Sequence, residues 1–307
     1  MSRAVLLSAA LLLPASGAVR ALPAFPRTIA AGGGRTLILP APPRRIVSLT
    51  IPMDEILSAL VDKSRVQAVS VLAVEPSISN VLAWAQDIPH KIQTNIEQIL
   101  ACEPDIVFIS KSRRAEILEL LLDAGVPVVS IESQNSIKDV KSNILKLGEA
   151  LGEDARARRL VAEMERKLDA VALKIGTAKR RPRVMTYHQN GSTSGKDRTA
   201  DELIVLGGGV NIAAEKGVVG SLLLSSEQLI GWNPEVILLS GYSRSKVTGP
   251  ETLRANPALQ TVDAIKNNRI YVIHGKYFTT TSHFIADAVE EVARTLHPDV
   301  FTAEAVR

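Results

Sequence analysis

The sequence is poor in the residues that mark disulfide-stapled scaffolds and in the motifs that mark common enzymes. Its 307 residues include one cysteine, Cys102, and 4% aromatic residues. A single cysteine excludes an intramolecular disulfide. The chain carries no G-x-S-x-G, Walker or His-Glu-x-x-His motif, so no hydrolase, nucleotide-binding or zinc-protease class is indicated, and no catalytic residue or cofactor is predicted.

No charge of one sign dominates the chain. It has 36 Lys and Arg against 32 Asp and Glu, a formal net charge of +4. The basic residues between Lys179 and Arg183 form a short cluster without interleaved aromatics, which is typical of a solvated loop. We therefore expect no nucleic-acid partner.

The first 21 residues have the layout of a secretory signal peptide. Arg3 precedes an apolar run over residues 4–13, and small residues follow. This run is too short to span a bilayer as a helix. Small residues allow cleavage after Ala18 or after Ala21, and we slightly prefer Ala21. Because no cysteine lies nearby, we expect a freely soluble periplasmic protein.

Downstream, short apolar runs alternate with helical periodicity. This alternation predicts an α/β fold with parallel sheets. It occurs twice, which predicts an N-terminal lobe over 22–135 and a C-terminal lobe over 179–307. The predicted strands are 46–50, 66–71, 106–110, 126–131, 184–187, 236–240 and 270–273, and the hairpin is 27–30 with 36–39.

The segment between the lobes, residues 136–178, predicts two helices. Ser136 and Asp139 have the spacing of a capping box, and Gly152 marks the end of the first helix. From Asp154 to about Ile175 the apolar residues fall on one face without an internal Gly or Pro. This pattern predicts one continuous helix about 30–35 Å long, a stiff strut between the lobes.

Two segments of the chain resemble each other residue by residue. EQILACEPDIVFIS at 97–110 aligns without a gap on EQLIGWNPEVILLS at 227–240. A weaker match pairs DEIL at 54–57 with DELI at 201–204 at a different offset. We interpret these repeats as duplicated lobes that differ by insertions.

These blocks, the run RRIVSLTIPMDEIL and the strut resemble the class III periplasmic solute-binding proteins of ABC importers. The resemblance covers about residues 27–298. It implies two Rossmann-like α/β lobes joined by one long helix, with a ligand held between them. It also implies capture of a metal chelate, a ferric siderophore or cobalamin, for delivery to the importer's permease subunits. The motifs do not identify the chelate.

Candidate ligand contacts come from segments at the carboxyl ends of the predicted strands, where ligands bind in open parallel sheets. Cations there suit an anionic chelate, and aromatics suit a large or flat one. Solvated loop charges and packing aromatics are the alternatives. The candidates are Thr50, Arg113, Arg114, Tyr187, His188, Lys196, Arg244, Tyr277 and Phe278.

Glu97 and Glu227 occupy equivalent positions in the long repeat. In the family that the sequence resembles, one glutamate on each lobe pairs with permease arginines, which implies a docking role for both residues. The alternative is a helix-dipole contribution, since both fall in a predicted first helical turn.

Our interpretation is a monomeric exported binding protein that performs no chemistry on its ligand. Three alternatives stay open: an exported hydrolase, a sensor that contacts a receptor, and a protein for bare zinc or manganese. The bare-metal alternative would use His188, His274 and His283.

Overall fold

The protein contains two separate parallel β-sheets, each covered by helices. The computed structural model describes residues 25–32, 34–110, 115–131, 133–241 and 249–302. The predicted signal segment, Arg113, Arg114 and Arg244 lie outside these residues. The strands are β1 (Arg27–Gly32), β2 (Arg35–Leu39), β3 (Ile46–Ser48), β4 (Val66–Ser70), β5 (His90–Ile92), β6 (Ile106–Ser110), β7 (Val128–Ile131), β8 (Arg183–Tyr187), β9 (Ser192–Ser194), β10 (Val210–Asn211), β11 (Ser221–Leu223), β12 (Val236–Ser240) and β13 (Ile270–Ile273).

Helices precede and follow these strands in the alternation that the sequence predicts. They are α1 (Ile51–Leu60), α2 (Leu82–Gln86), α3 (Ile96–Ala101), α4 (Ala115–Asp123), α5 (Ile137–Leu151), α6 (Asp154–Ile175), α7 (Thr199–Leu206), α8 (Ile212–Glu215), α9 (Ser226–Trp232), α10 (Pro250–Ala255), α11 (Asp263–Lys266), α12 (Gly275–Phe278), α13 (Ile285–Leu296) and α14 (Pro298–Thr302). We call β1–β7 with α1–α4 lobe 1, and β8–β13 with α7–α14 lobe 2.

The two sheets share a strand order. Lobe 1 has the order β5-β4-β3-β6-β7 and lobe 2 the order β10-β8-β12-β13, so β4-β3-β6-β7 corresponds to β10-β8-β12-β13. All pairings within both sheets are parallel. The predicted α/β class with two parallel-sheet lobes is confirmed.

The helical connection between the lobes forms as its sequence predicts. Ser136 accepts a hydrogen bond from the backbone N–H of Asp139, whose carboxylate accepts one from the backbone N–H of Ser136. Gly152 ends α5 in the left-handed region at φ 76°, which glycine adopts without a steric penalty. Helix α6 then runs unbroken for 22 residues, about 33 Å at 1.5 Å per residue.

A single cluster of buried apolar side chains runs from one lobe to the other along this helix. Met164 and Val171 of α6 pack in the cluster that contains Ile46 and Leu57 of lobe 1 and Val184 of lobe 2. Helix α6 contacts α5 and α1 on one side and α13 and α7 on the other. The strut therefore shares its core with both lobes, and swinging the lobes apart would expose apolar surface.

The short elements differ most from the sequence prediction. Strands β5, β9, β10 and β11 have three residues or fewer, too few to give a periodic signal. Strands β9 and β11 form an antiparallel ribbon. Strand β9 lies in the β8–α7 connection, residues 188–198, whereas residues 49–50 alone join β3 to α1. This longer connection is one way in which the two lobes differ, as the change of offset between the sequence repeats predicts.

Candidate ligand-binding cleft

A cavity of about 710 Å³ lies where the carboxyl ends of the lobe 1 strands face lobe 2. Thr50 follows β3, Ser70 ends β4 and Ser110 ends β6. Its lining is Leu49, Thr50, Ile51, Pro52, Ser70, Leu72, Ile78, Ser110, Ser133, Gln134, Asn135, Arg198, Thr199, Thr279, Thr280 and Thr281. Both lobes therefore contribute to one wall, at the edge where open parallel sheets bind ligands.

Hydroxyl and amide side chains dominate this lining. The Thr50 Oγ1 is buried and has no hydrogen-bond partner among the described residues. Arg198 is the one cation among the described lining residues. Its guanidinium is exposed and has no hydrogen bond or ion pair to any other described residue. The wall can therefore donate several hydrogen bonds to ligand oxygens and pair with one negative group.

Two helices begin at this cavity, one from each lobe. Thr50 is the N-cap of α1 and Arg198 the N-cap of α7, and neither side chain caps its helix. First-turn backbone N–H groups have no intrahelical acceptor, and the helix dipole is positive at this end. The local field therefore favours an anionic group in the cavity.

Predicted contacts around β8 lie beside the cavity and not in its described lining. Tyr187 ends β8, and the Nε2 of His188 lies 2.9 Å from the Ser194 Oγ. The His188 ring packs edge-on against Phe278, with ring centroids 5.7 Å apart. Burial lowers the pKa of His188.

The structure differs from the sequence prediction most clearly at Phe278. Its side chain is 6% exposed and belongs to the main apolar cluster, because α12 turns this ring inward. Tyr277 is partly buried against the same cluster, with the Lys276 ammonium 4.9 Å from its ring centroid. Lys196 is exposed and pairs through its backbone with Val219. The low aromatic content made the Tyr277–Phe278 pair look like a ligand surface, whereas Phe278 is core.

The chain resembles proteins of a known family in both sequence and fold. A family described as periplasmic binding protein matches residues 46–277. The chain belongs to this family.

Two relatives and one solved structure match most of the chain at low identity. An uncharacterized ABC transporter substrate-binding lipoprotein of Bacillus subtilis, YvrC, is 25% identical over 285 residues, covering 90% of this chain and 87% of the relative. A cobalamin-binding protein of Halobacterium salinarum is 26% identical over 276 residues, covering 88% and 73%. The solved structure of the periplasmic heme-binding protein RhuT from Roseiflexus has 25% identity and a TM-score of 0.74, covering 84% of this chain and 99% of RhuT.

In this periplasmic binding protein, no helix within the described ranges is long and apolar enough to cross a membrane. Within the same ranges, no group of three or more His, Cys, Asp or Glu side chains is placed to hold a metal ion.

Glu97 and Glu227 occupy matching sites on the two lobes of this binding protein. Each is the second residue of its helix, α3 or α9, and each is exposed. The N-caps match too, since Asn95 and Ser225 each accept a hydrogen bond from the third-position backbone N–H. The backbone N–H of Glu227 itself, with a smaller contribution from Ser225, lowers the pKa of the Glu227 carboxyl.

Sequence reasoning did not single out Glu55. This carboxylate is fully buried in α1, inside a stretch that reads as an amphipathic helix. A signal was nevertheless present, because Glu55 belongs to the DEIL segment that repeats at 201–204. A repeated acid at a core-facing helical position is a candidate for a buried polar contact.

A second cavity, of about 550 Å³, lies against the strut and away from the cleft. It is lined by Lys167 of α6 and by His283 and Asp287 near the start of α13, among others. Lys167 and Asp287 form an ion pair. Burial lowers the pKa of His283 to about 4, and its Nδ1 has no hydrogen-bond partner among the described residues.

Proposed function

We propose that this periplasmic binding protein captures a metal chelate, a ferric siderophore or cobalamin, in the cleft between its lobes and delivers it to an ABC importer. The observation that carries the proposal is the cavity at the carboxyl ends of the lobe 1 strands, walled by both lobes. The related cobalamin-binding protein supports the chelate class, and YvrC supports the link to an ABC transporter.

The chemistry of the wall suits a chelate with oxygen atoms on its outer surface. Thr50 and Arg198 line the cavity, and neither the Thr50 hydroxyl nor the Arg198 guanidinium has a partner among the described residues, so we assign both side chains to ligand binding. The two helix N-termini add a field that favours negative charge. Arg113, Arg114 and Arg244 are proposed to extend this cationic surface.

We propose export through the segment 1–21 and function as a periplasmic monomer. Docking to the permease subunits is assigned to Glu97 and Glu227. Their equivalent positions on duplicated lobes suit a partner with two equivalent halves, each presenting a cation.

Intrinsic fluorescence titration of the purified protein tests ligand capture. The probes are a ferric trihydroxamate, ferric citrate, cyanocobalamin and haemin. We expect saturable 1:1 binding of at least one of the first three with a micromolar or lower Kd. The iron-free or cobalt-free ligand serves as the control and should bind more weakly. Binding of none of the first three probes, with or without binding of haemin, or turnover of generic esters or phosphates above background, would refute the proposal.

A further inference from the structure

The weaker of the two sequence repeats places an identical pair of acids on equivalent helices. Asp54 and Glu55 lie in α1, and Asp201 and Glu202 lie in α7. These helices follow equivalent strands, β3 and β8, and both begin at the cleft. The contacts of these equivalent acids can therefore be compared directly between the two lobes.

The aspartate of each pair bonds within its own lobe. Asp54 accepts a hydrogen bond from the backbone N–H of Ser70 at the end of β4, at 3.3 Å. Asp201 accepts one from the Asn211 side chain in β10, at 2.9 Å. Strands β4 and β10 lie beside the equivalent strands β3 and β8 of their sheets. Each aspartate thus links its helix, α1 or α7, to a strand of the same lobe, β4 or β10, by a hydrogen bond.

The glutamate of each pair reaches the other side of the cleft. Glu55 Oε2 accepts hydrogen bonds from the hydroxyls of Thr280 at 2.8 Å and Ser282 at 2.5 Å, both in lobe 2. Its Oε1 accepts one from the Asn80 side chain at 2.7 Å, and the same Asn80 nitrogen donates to the Lys276 carbonyl in lobe 2. Thr280 lines the cavity.

Glu202 makes the corresponding contact in the opposite direction. Its Oε2 accepts a hydrogen bond from the backbone N–H of Ile137, the first residue of α5. Helix α5 packs on α1 and β1 of lobe 1. A first-turn N–H has no acceptor within its own helix, so Glu202 supplies one from lobe 2. The residues just before Ile137, residues 133–135, line the cavity.

Charge compensates the burial of these glutamates only weakly: the charge of Lys141 lowers the pKa of Glu202, but by less than burial raises it. No ion pair involves Glu55 or Glu202 among the described residues, and burial raises the pKa of both carboxyls. An apolar residue would fill the same space without this desolvation cost. It would, however, leave the Thr280 and Ser282 hydroxyls or the Ile137 amide without the acceptor that holds them.

We infer that Glu55 and Glu202 are positioning residues of the binding site, each fixing a cleft-lining segment that lies outside its own lobe. Glu55 holds residues 279–282 against lobe 1, and Glu202 holds residues 133–137 against lobe 2. The part of this inference that concerns ligand affinity rests on the proposed function, whereas the positioning itself does not.

Hydrogen–deuterium exchange of the ligand-free protein tests the positioning. In Glu55→Gln we expect amide exchange in 279–282 to rise at least tenfold, and in Glu202→Gln the same rise in 133–137. Exchange in α1 and α7 themselves should change less than threefold. Ser282→Ala, which removes a donor outside the cavity lining, should reproduce the Glu55→Gln pattern. Glu290→Gln, on α13, serves as the matched control and should change neither segment.

A general loss of protection in the mutated lobe, or no change at the opposite segment, would overturn the inference. If Glu55→Gln does not fold, Ser282→Ala decides the matter alone. Affinity for the chelate that binds best should fall at least fivefold in both glutamate variants while the melting temperature of Glu202→Gln stays within a few degrees. Should no probe bind the wild type, the proposed function fails while the exchange result still decides the positioning role.

Discussion

Lobe 1 and lobe 2 share a strand order and matching acids, yet they bury those acids to different degrees. Glu55 is fully buried and accepts hydrogen bonds from three side chains. Its counterpart Glu202 is half-buried and accepts one, from a backbone amide. Each lobe therefore contributes a glutamate that accepts hydrogen bonds from outside that lobe, with more donors at Glu55 than at Glu202.

This asymmetry indicates which half of the cleft is more rigid. The lobe 2 segment held by Glu55 includes Thr280 and Ser282, which are themselves buried. The segment held by Glu202, which joins β7 of lobe 1 to α5, includes half-buried Gln134 and exposed Asn135. We expect small adjustments to ligand to occur mainly in residues 133–136.

The largest expected effect is a difference in stability loss between alanine variants of the two glutamates. Glu55→Ala leaves the buried hydroxyls of Thr280 and Ser282 without this acceptor and removes one of the two acceptors of the Asn80 side chain, so it should lower the free energy of unfolding by about 2–4 kcal/mol. Glu202→Ala should cost about 1 kcal/mol. Urea denaturation measures both, with Glu290→Ala as the control, because its exposed pair with Arg294 should contribute under about 0.5 kcal/mol. Equal losses at the two glutamates would remove the asymmetry.

The next largest effect is expected on the pH dependence of stability, which we attribute mainly to a histidine of lobe 2. His283, beside Asp287 and Lys167, has a pKa of about 4, below the ordinary value of 6.5. The unfolded chain therefore takes up the proton first, so stability is present above about pH 6.5 and is lost as pH falls towards 4. The slope should reach about 1.4 kcal/mol per pH unit.

Denaturation at a series of pH values checks this prediction. His283→Gln should make the profile less steep between pH 6.5 and 4, with part of the remaining slope due to His188, whose pKa burial also lowers. His90→Gln, at an exposed position in lobe 1, should leave the profile unchanged. Identical profiles for wild type and His283→Gln would contradict the assignment of acid sensitivity to this histidine.

Ligand affinity should distinguish two neighbouring cations of lobe 2. Arg198 lines the cavity, whereas Lys196 does not. Arg198→Ala should weaken binding of an anionic ferric chelate about tenfold, or about 1.4 kcal/mol. Lys196→Ala should change it less than twofold. Fluorescence titration measures both, and equal effects would indicate a general electrostatic attraction without a specific contact.

The smallest effect on the protein itself is expected at Glu97 and Glu227, the glutamates proposed for docking. Glu97→Arg and Glu227→Arg should leave chelate affinity unchanged and lower the free energy of unfolding by at most about 1 kcal/mol. Uptake through the importer in reconstituted vesicles should nevertheless be abolished, because each change places two cations face to face.

Glu116→Arg provides the matched control for docking. Glu116 is an exposed first-turn acid of α4 outside the repeat, so its reversal carries the same dipole cost. Uptake should stay normal in this variant. Normal uptake by Glu97→Arg and Glu227→Arg at matched protein levels would exclude their docking role.

The sequence predicts the fold well where long periodic patterns and caps operate together. Strand β6, strand β12 and the strut α6 begin and end where their apolar patterns indicate, because continuous burial fixes their residue types. The contacts of the cleft were less predictable. Thr279–Thr281 are small polar residues whose role depends on their placement between lobes, which local sequence does not encode.

The local sequence also does not reveal which acidic or aromatic side chains are buried by long-range packing. Glu55 in a helical pattern is indistinguishable from a solvated glutamate until the opposite lobe is placed against it. Conversely, Phe278 resembles a ligand-facing aromatic until its inward orientation is seen. Long-range packing decides both, and the repeat was the one sequence feature that pointed to Glu55.

A crystal structure with the best-binding chelate, phased on the anomalous signal of its iron or cobalt, tests the central claim most directly. We expect one anomalous peak, in the cavity between Thr50 and Arg198, with ligand atoms within hydrogen-bond distance of both side chains. A peak in the cavity beside His283 and the strut, or none between the lobes, would contradict the assignment of the cleft as the binding site.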